Sequence, residues 1–562
     1  MIPKLRKHSS TLMMVLLACG IGGCTSGHYS KSADRETVGI LRQKSSKVPN
    51  SGRGLLDITP PPPATLEELE KNMKTVDFLG ERAHIEKGAK VVELADALRY
   101  GVSRNREYQG QKETLYVQAL NLTLSRHQFA PIFTAAGTGT QDRNQVETGV
   151  NQFITDTTET YTGSIGFSML SRIGTRIAAD LSSDFIRFVT GGLRETTESK
   201  LAVTLTQPLL RGAGYLAVSE VLTQDERSTL YAVRDFTQYR KSFTVDLTSQ
   251  YFQTLQARDK TKNAYLAYQA SKQTVEREKG MQEANKRTLP SLLQLEQAML
   301  QYQVRWLTAI QSYEQQLDDL KIQLAIPVQT PVMLDDEELK RLALADPPGT
   351  LDEALQMAMT TRLDLWNSRD SLEDANRQVR VAKQELLPTL NALVGYEVTG
   401  DPKSVGPNLD YKRRKVSIGA DVDLHLDKKA ERNILRAAEV NQQAARRALD
   451  LAEENVRRQI RADWRNLTLA RQQYDLAVQD LELSERRLEV ESDFFKEDKT
   501  TSARDLIDAQ QKLINARDAV TATLITHTIA RLTLWKDMGI LYIMKDGGWV
   551  DVLKSESPKG GE

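Results

Sequence analysis

The sequence predicts an α+β protein in which very long coiled-coil helices alternate with short β-strands suited to a membrane, the whole order occurring twice along the chain. Three observations carry that expectation. Residues 430 to about 497 contain neither proline nor glycine. Two later segments alternate apolar and polar residues with period two. The order of helix, strands and long helices in the first half returns in the second.

Composition narrows the function before any motif does. A chain of 562 residues could hold several ordinary domains, yet only 6% are aromatic and 32 are glycine, which suits extended helices better than a set of catalytic α/β domains. Lys and Arg balance Asp and Glu at 75 each, so the net charge points to neither nucleic acid nor an anionic membrane surface. A mean hydropathy of -0.45 argues against a helical membrane protein. Cys19 and Cys24 are the two cysteines, which excludes thiol chemistry from the body of the chain. His84, His127, His425 and His527 occur singly, without metal-ligand spacing. With no nucleophile elbow, Walker loop or dinucleotide turn either, no catalytic residue, metal or cofactor is expected.

The N-terminus reads as a secretory signal over residues 1–23. Lys4, Arg6 and Lys7 form its basic start, and residues 11–21 are an apolar run too short to cross a bilayer. Ile21-Gly22-Gly23-Cys24 resembles the bacterial lipobox, in which small residues admit the signal peptidase and the thiol takes a lipid. Leu16-Leu17-Ala18-Cys19 also fits the pattern. Cys24 is preferred, because cleavage before Cys19 leaves an apolar core of about seven residues, at the bottom of the usual range. Residues 24–87 then read as a lipidated tether, with Pro60, Pro61, Pro62 and Pro63 making a stiff extended spacer.

Two structural repeats are expected at 88–348 and 349–541, followed by a tail at 542–562. In the first, a helix over about 91–126 runs into Pro131, and a β region ends in Gln207-Pro208-Leu209-Leu210-Arg211-Gly212. In the second, a helix over about 351–386 runs into Pro388, and a β region ends near Leu426. Phe252 with Leu255 matches Trp464 with Leu467; about 38 residues further on come Ser291 and Ser502, and one heptad later Ala298 and Ala509. Spacing kept over such distances indicates duplication.

Val416, Ile418, Ala420, Val422, Leu424 and Leu426 alternate with Ser417, Gly419, Asp421, Asp423 and His425, as a strand between lipid and a watery lumen requires. Leu390, Ala392, Val394, Tyr396 and Val398 repeat the pattern. In the first half, residues from about 141 to 200 form a longer outer segment. There Ile165, Phe167 and Met169 alternate with Gly166 and Ser168, which indicates an added hairpin that either extends the strands or caps a pore. The stretch from 430 to 497 would be about 100 Å long as a helix. Its seam of Ala438, Ala445, Leu449, Ala452, Val456, Ile460, Leu467, Ala470, Tyr474, Ala477, Leu481 and Leu488 steps by three, four or seven, as packed coiled-coil helices demand.

This layout resembles the outer-membrane efflux protein family of TolC-like outer-membrane factors, lipoprotein type, over roughly residues 88 to 541. Gln207-Pro208-Leu209-Leu210-Arg211-Gly212 is similar to the segment where that family's second strand bends into its first long helix. Asp505-Leu506-Ile507-Asp508-Ala509-Gln510 is similar to its helix start past the second periplasmic turn. The resemblance implies a homotrimer in which each subunit gives four strands to one twelve-stranded transmembrane β-barrel, continued by a long α-helical coiled-coil periplasmic tunnel. A mixed equatorial region would come from about 327–350 and the terminal flanks. It further implies an outer-membrane location, no enzymatic activity, and partners in a periplasmic adaptor protein and an inner-membrane pump, with small molecules or proteins as cargo. Tip turns would fall at Thr288, Leu289 and Pro290 and at Asp498 and Lys499, where the family usually has glycine. The positions of the family's Tyr and Arg tip latch hold Lys496 and Thr501 instead. Asp505 and Asp508, an i, i+3 pair on one helix face, become the candidate periplasmic constriction, although Ser502-Ala503-Arg504-Asp505 also reads as a capping box. The competing class is a periplasmic coiled-coil adaptor or scaffold lipoprotein without a pore, which leaves the lipid-compatible strands without a role.

Overall fold

In the computed structural model, residues 26–51, 69–72, 77–149, 152–190, 194–284, 288–345, 349–401, 408–496 and 502–550 are described. They divide into two compact units, each assembled from three stretches of chain.

The first unit comprises Met1–Ile40, Val117–Tyr231 and Ser368–Leu449. Its centre is one antiparallel sheet of six strands, β2 (Ile132–Gly149), β3 (Gln152–Leu170), β4 (Arg176–Phe188), β5 (Arg194–Pro208), β7 (Thr389–Thr399) and β8 (Arg414–Asp423), in the spatial order β2-β3-β4-β5-β7-β8. The resemblance implied four strands, with an added hairpin within about 141–200 that either extends them or caps a pore. The difference lies in the long outer segment, whose chain reverses at Ser171 to Thr175 and returns as β4, paired with β3 from Leu170↔Arg176 to Thr158↔Phe188. Strand pairing of this kind is set by register, which a single alternating stretch does not reveal.

Four strand ends connect directly to helices. The helix Arg106–His127 runs into β2, and β5 runs through the short helix Gly214–Val218 into the 64-residue helix Glu220–Glu283. The helix Leu363–Glu385 runs into β7, and β8 into the 68-residue helix Lys429–Lys496. The chain turns at Gly212 and Gly214 with φ of 72° and 83°, a left-handed backbone that glycine adopts without a Cβ penalty. There the Leu209 N–H donates to the Leu390 carbonyl at 2.7 Å and the Arg211 N–H to that of Pro388 at 3.3 Å, so the end of the first β region lies beside the start of the second. Arg211 also pairs with Glu431 at 3.2 Å.

β8 stops at Asp423, short of the expected Leu426. The Asp423 carboxylate accepts the His425 N–H at 3.0 Å and His425 takes a positive φ of 43°, a local turn that ends the ladder and leaves Leu424 and Leu426 exposed. A second difference is at the other terminus, where Ser26–Ser45 is a 20-residue helix rather than an extended spacer. It contains no proline, and Thr37, Ile40, Leu41 and Lys44 are buried together along one side. The proline run at 60–63 lies outside the described residues.

The second unit comprises Leu41–Tyr116, Ala232–Asn367 and Asp450–Glu562. Here the stretches of the two long helices from 232 to 283 and from 450 to 496 pack with their 35-residue partners, Leu289–Gln323 and Ala503–Asp537. Every residue of the predicted seam is buried or half-buried: Val456, Ile460 and Leu467, with Ala354, Ala358, Leu534 and Met538, form one of its cores. Phe252 and Leu255 occupy corresponding buried places on the first long helix. A small mixed region flanks the helices, where β1 (Lys90–Val92) pairs in parallel with β6 (Val332–Leu334) and β9 (Tyr542–Ile543) pairs with β10 (Trp549–Val550).

Candidate functional site

The sheet has two chemically different faces, and the register decides which residues share them. Across the ladder Phe133↔Phe167↔Ala179↔Val203↔Tyr396↔Val416 and the neighbouring Ile165↔Leu181↔Leu201↔Val398, one face is apolar on all six strands. The other carries Thr134, Gly166, Asp180, Ala202, Glu397 and Lys415 at matching positions, polar at most of them. The apolar face is open over much of its extent, with Phe133 74% exposed, Ile165 61%, Val416 62% and Ile418 82%, while Val398 at its end is buried. The Phe133 ring lies tilted 5.3 Å from that of Phe167 near one end of the band, and Tyr161 lies 6.4 Å from Phe185 near the other.

In the second unit, the long helices and their partners converge on a small tip core of Val275, Leu292, Leu295, Phe495, Ala503 and Leu506. Thr288 is the N-cap of the helix that opens with Leu289 and Pro290, and a proline at this first turn loses no hydrogen bond the helix would otherwise make. Asp498 and Lys499 lie outside the described residues. Across the core, Ser502 caps the last long helix in a full capping box: its hydroxyl accepts the Asp505 N–H at 3.3 Å, and the Asp505 carboxylate accepts from the Ser502 N–H at 3.0 Å and its hydroxyl at 2.6 Å. Those bonds hold the Asp505 carboxyl below the usual carboxylate range. Asp508, one turn on and half exposed, pairs with Arg487 at 2.9 Å. The two aspartates therefore share a helix and the tip. Their partners, Ser502 and Arg487, belong to the same chain.

Two buried polar clusters in this unit were not legible beforehand. Glu86, fully buried, accepts from Arg258 Nε and Nη2 and from the Tyr313 hydroxyl, each at 2.8 Å, and Asp336 joins the same guanidinium. Asp463 and Asp537 lie together where the Lys429–Lys496 and Ala503–Asp537 helices pack, with Gln459 donating to both. Burial and the neighbouring carboxyl push Asp463 up to about 7. Among the described residues no group of three or more His, Cys, Asp and Glu is placed to hold a metal ion, and no described helix is long and apolar enough to cross a membrane.

A sheet with one open apolar face, continued at four strand ends by helices whose long members pair with 35-residue partners, is the fold of the TolC-like outer-membrane channels. Solved channels of that class superpose on most of the chain. OprN matches with a TM-score of 0.60 at 15% identity over 86% of this chain and 96% of its own, and CmeC of Campylobacter jejuni with 0.59 at 15% over 79% and 85%. The open-state channel MtrE of Neisseria gonorrhoeae matches with 0.58 at 14% over 80% and 90%. No family model and no curated sequence matches the chain.

Proposed function

We propose that the chain is the outer-membrane channel subunit of a tripartite efflux pump or type I secretion system. It acts as a homotrimer, anchored through a lipid on Cys24, and passes small molecules or proteins received from a periplasmic adaptor and an inner-membrane pump. The observation that carries this reading is the open apolar face running in register across all six strands. In water, each fully exposed side chain of the Val, Ile or Phe class forgoes about 1.5–3 kcal/mol of burial, so a face of this extent needs lipid or protein against it. Lipid also requires that no strand edge stay unpaired, which calls for closure by further copies of the sheet. In that assembly Asp505 and Asp508 make two stacked rings at the periplasmic end. A pore-less adaptor would account for the paired helices and leave the apolar face without a role.

Membrane fractionation tests the reading. Full-length protein made in a Gram-negative host is expected in the outer membrane, resistant to carbonate extraction, and migrating as a heat-modifiable oligomer. Recovery in the soluble periplasmic fraction, or carbonate-extractable membrane association through the lipid alone, would favour the adaptor.

A further inference from the structure

The resemblance implied four strands from each copy and left the added hairpin as an extension or a cap. We propose instead that β3 and β4 are wall strands of the barrel, so that each copy contributes six strands and the three-fold assembly closes eighteen. The inference rests on the channel reading above and fixes the width of its membrane-spanning part.

Three observations place the pair in the wall. First, β3 and β4 sit in the interior of the sheet order, with β3 bonded to β2 along the ladder from Ile132↔Ser168 and β4 bonded to β5 from Arg176↔Thr206 to Phe188↔Arg194. A cap folded over a pore would leave β2 free to pair directly with β5; here that place is taken. Second, the alternation of the inserted pair is in phase with the rest. Ile165, Phe167 and Met169 on β3 and Ile177, Ala179 and Leu181 on β4 fall on the face that holds Leu201, Val203 and Leu205 on β5. Ser164, Gly166, Asp180 and Ser182 fall on the opposite face with Lys200 and Thr204. A hairpin with water on both sides has no use for this pattern, whereas a strand between lipid and lumen requires it.

Third, the turn that joins the pair is fitted to the strand-to-helix junction. Gly174 has a φ of 98°, and a Cβ there would stand 2.8 Å from Pro208 Cγ and 3.1 Å from the Gly212 carbonyl oxygen. The Gly214 N–H donates to the Ile173 carbonyl at 3.2 Å, and the Thr175 hydroxyl donates to the Gln207 side chain. The inserted strands thus begin at the same level as the motif where β5 bends into its helix, and have no helix of their own beneath them. The unpaired edges of the sheet are those of β2 and β8, and the occupant they fit is the opposite edge of a second copy of this chain.

With strands about 4.8 Å apart and tilted by about 40°, eighteen strands make a barrel roughly 36 Å across between backbones, against roughly 24 Å for twelve. The bore in the membrane is then wide enough that selection falls to the helical tip and not to the barrel.

Single-cysteine nitroxide scanning of the full chain in lipid vesicles tests this, with Cys19 and Cys24 outside the scanned body. Labels at residues 161–169 and 177–185 are expected to alternate between oxygen-accessible and water-accessible with period two, each pair of neighbours differing several-fold, as labels at 416–422 do. Alternation at 416–422 with uniform water access at 161–169 would overturn the wall assignment and leave the channel intact. Water access at both would overturn the channel reading itself. Electron microscopy of the same particles gives an independent count: eighteen strands in three copies support the proposal, and a twelve-stranded ring with the β3–β4 hairpin displaced from it refutes it.

Discussion

Replacing Glu86 should cost more than any exposed substitution in the chain. Its carboxylate is fully buried and makes two 2.8 Å bonds to Arg258, whose side chain is 4% exposed, plus one to Tyr313. Removing one member of a buried ion pair typically costs about 3–5 kcal/mol, because the other charge is left without compensation. Asp336 still reaches the guanidinium, but its carboxylate is 47% exposed and already engaged, so it restores only part of that loss. Glu86→Gln keeps an acceptor for the Tyr313 hydroxyl and removes the charge; its expected cost is about 2–3 kcal/mol. If the cost is uncompensated charge rather than packing, removing the whole cluster should be milder. Glu86→Leu/Arg258→Met alone still orphans the Tyr313 hydroxyl, about 1–2 kcal/mol, so the informative variant adds Tyr313→Phe and is expected within about 1 kcal/mol of the parent. Denaturant-induced loss of helical circular dichroism in detergent, at one fixed protein concentration because assembly shifts apparent stability, reads all three. A Glu86→Gln cost below about 0.5 kcal/mol, or a triple variant worse than the single, would refute the reasoning.

Three further outcomes follow from other sites. Asp463 has its proton affinity raised by burial and by Asp537, with Gln459 and Lys536 opposing. A carboxyl raised in the folded state contributes stability that is complete below its unfolded value near 4 and is lost as pH climbs through about 7. After allowance for solvent screening, Asp463→Asn should therefore raise stability at pH 8 by about 1–2 kcal/mol and leave it little changed at pH 4, and thermal melts showing the reverse would sink the assignment. Asp505→Asn should lower the denaturant midpoint through its cap, and by more than Asp508→Asn, which breaks only an exposed pair with Arg487; equal midpoints for the two would contradict the cap's role. Cys24→Ser should abolish incorporation of labelled palmitate, whereas loss of label in Cys19→Ser alone would move the anchor.

What could be read from the sequence was what local periodicity encodes. The seam from Ala438 to Leu488 needs only the spacing of apolar residues on one helix, and the structure buries or half-buries each of them. The alternation of Leu390 to Val398 and of Val416 to Val422 likewise defines two strands on its own. Strand number was harder, because Ile165, Phe167 and Met169 show an alternating strand in isolation and nothing in them says that the returning strand β4 goes on to pair with β5 and not to face solvent. The partner of Asp508 was invisible for a related reason: Arg487 belongs to the preceding helix, and only the packing of the two helices brings the groups to 2.9 Å. Glu86 and Arg258 are separated by still more chain, and neither stands out in a sequence with 75 residues of each charge. The helix at Ser26–Ser45 was hidden by its polar composition, since its few buried residues suffice for docking without making a strong apolar stripe.

The central claim is that this chain forms a water-filled pore, and ion conductance across a planar bilayer tests it most directly. Full-length protein reconstituted from detergent is expected to insert as discrete steps of uniform size, cation-preferring, and blocked by a trivalent cation added on the periplasmic side. Asp505→Asn/Asp508→Asn should insert equally often and lose that block, as expected of carboxylate rings that concentrate cations in a narrow neck. Conductance with equal block in both proteins would move the constriction away from this helix turn. Membrane-bound protein that gives no steps at all would contradict the channel.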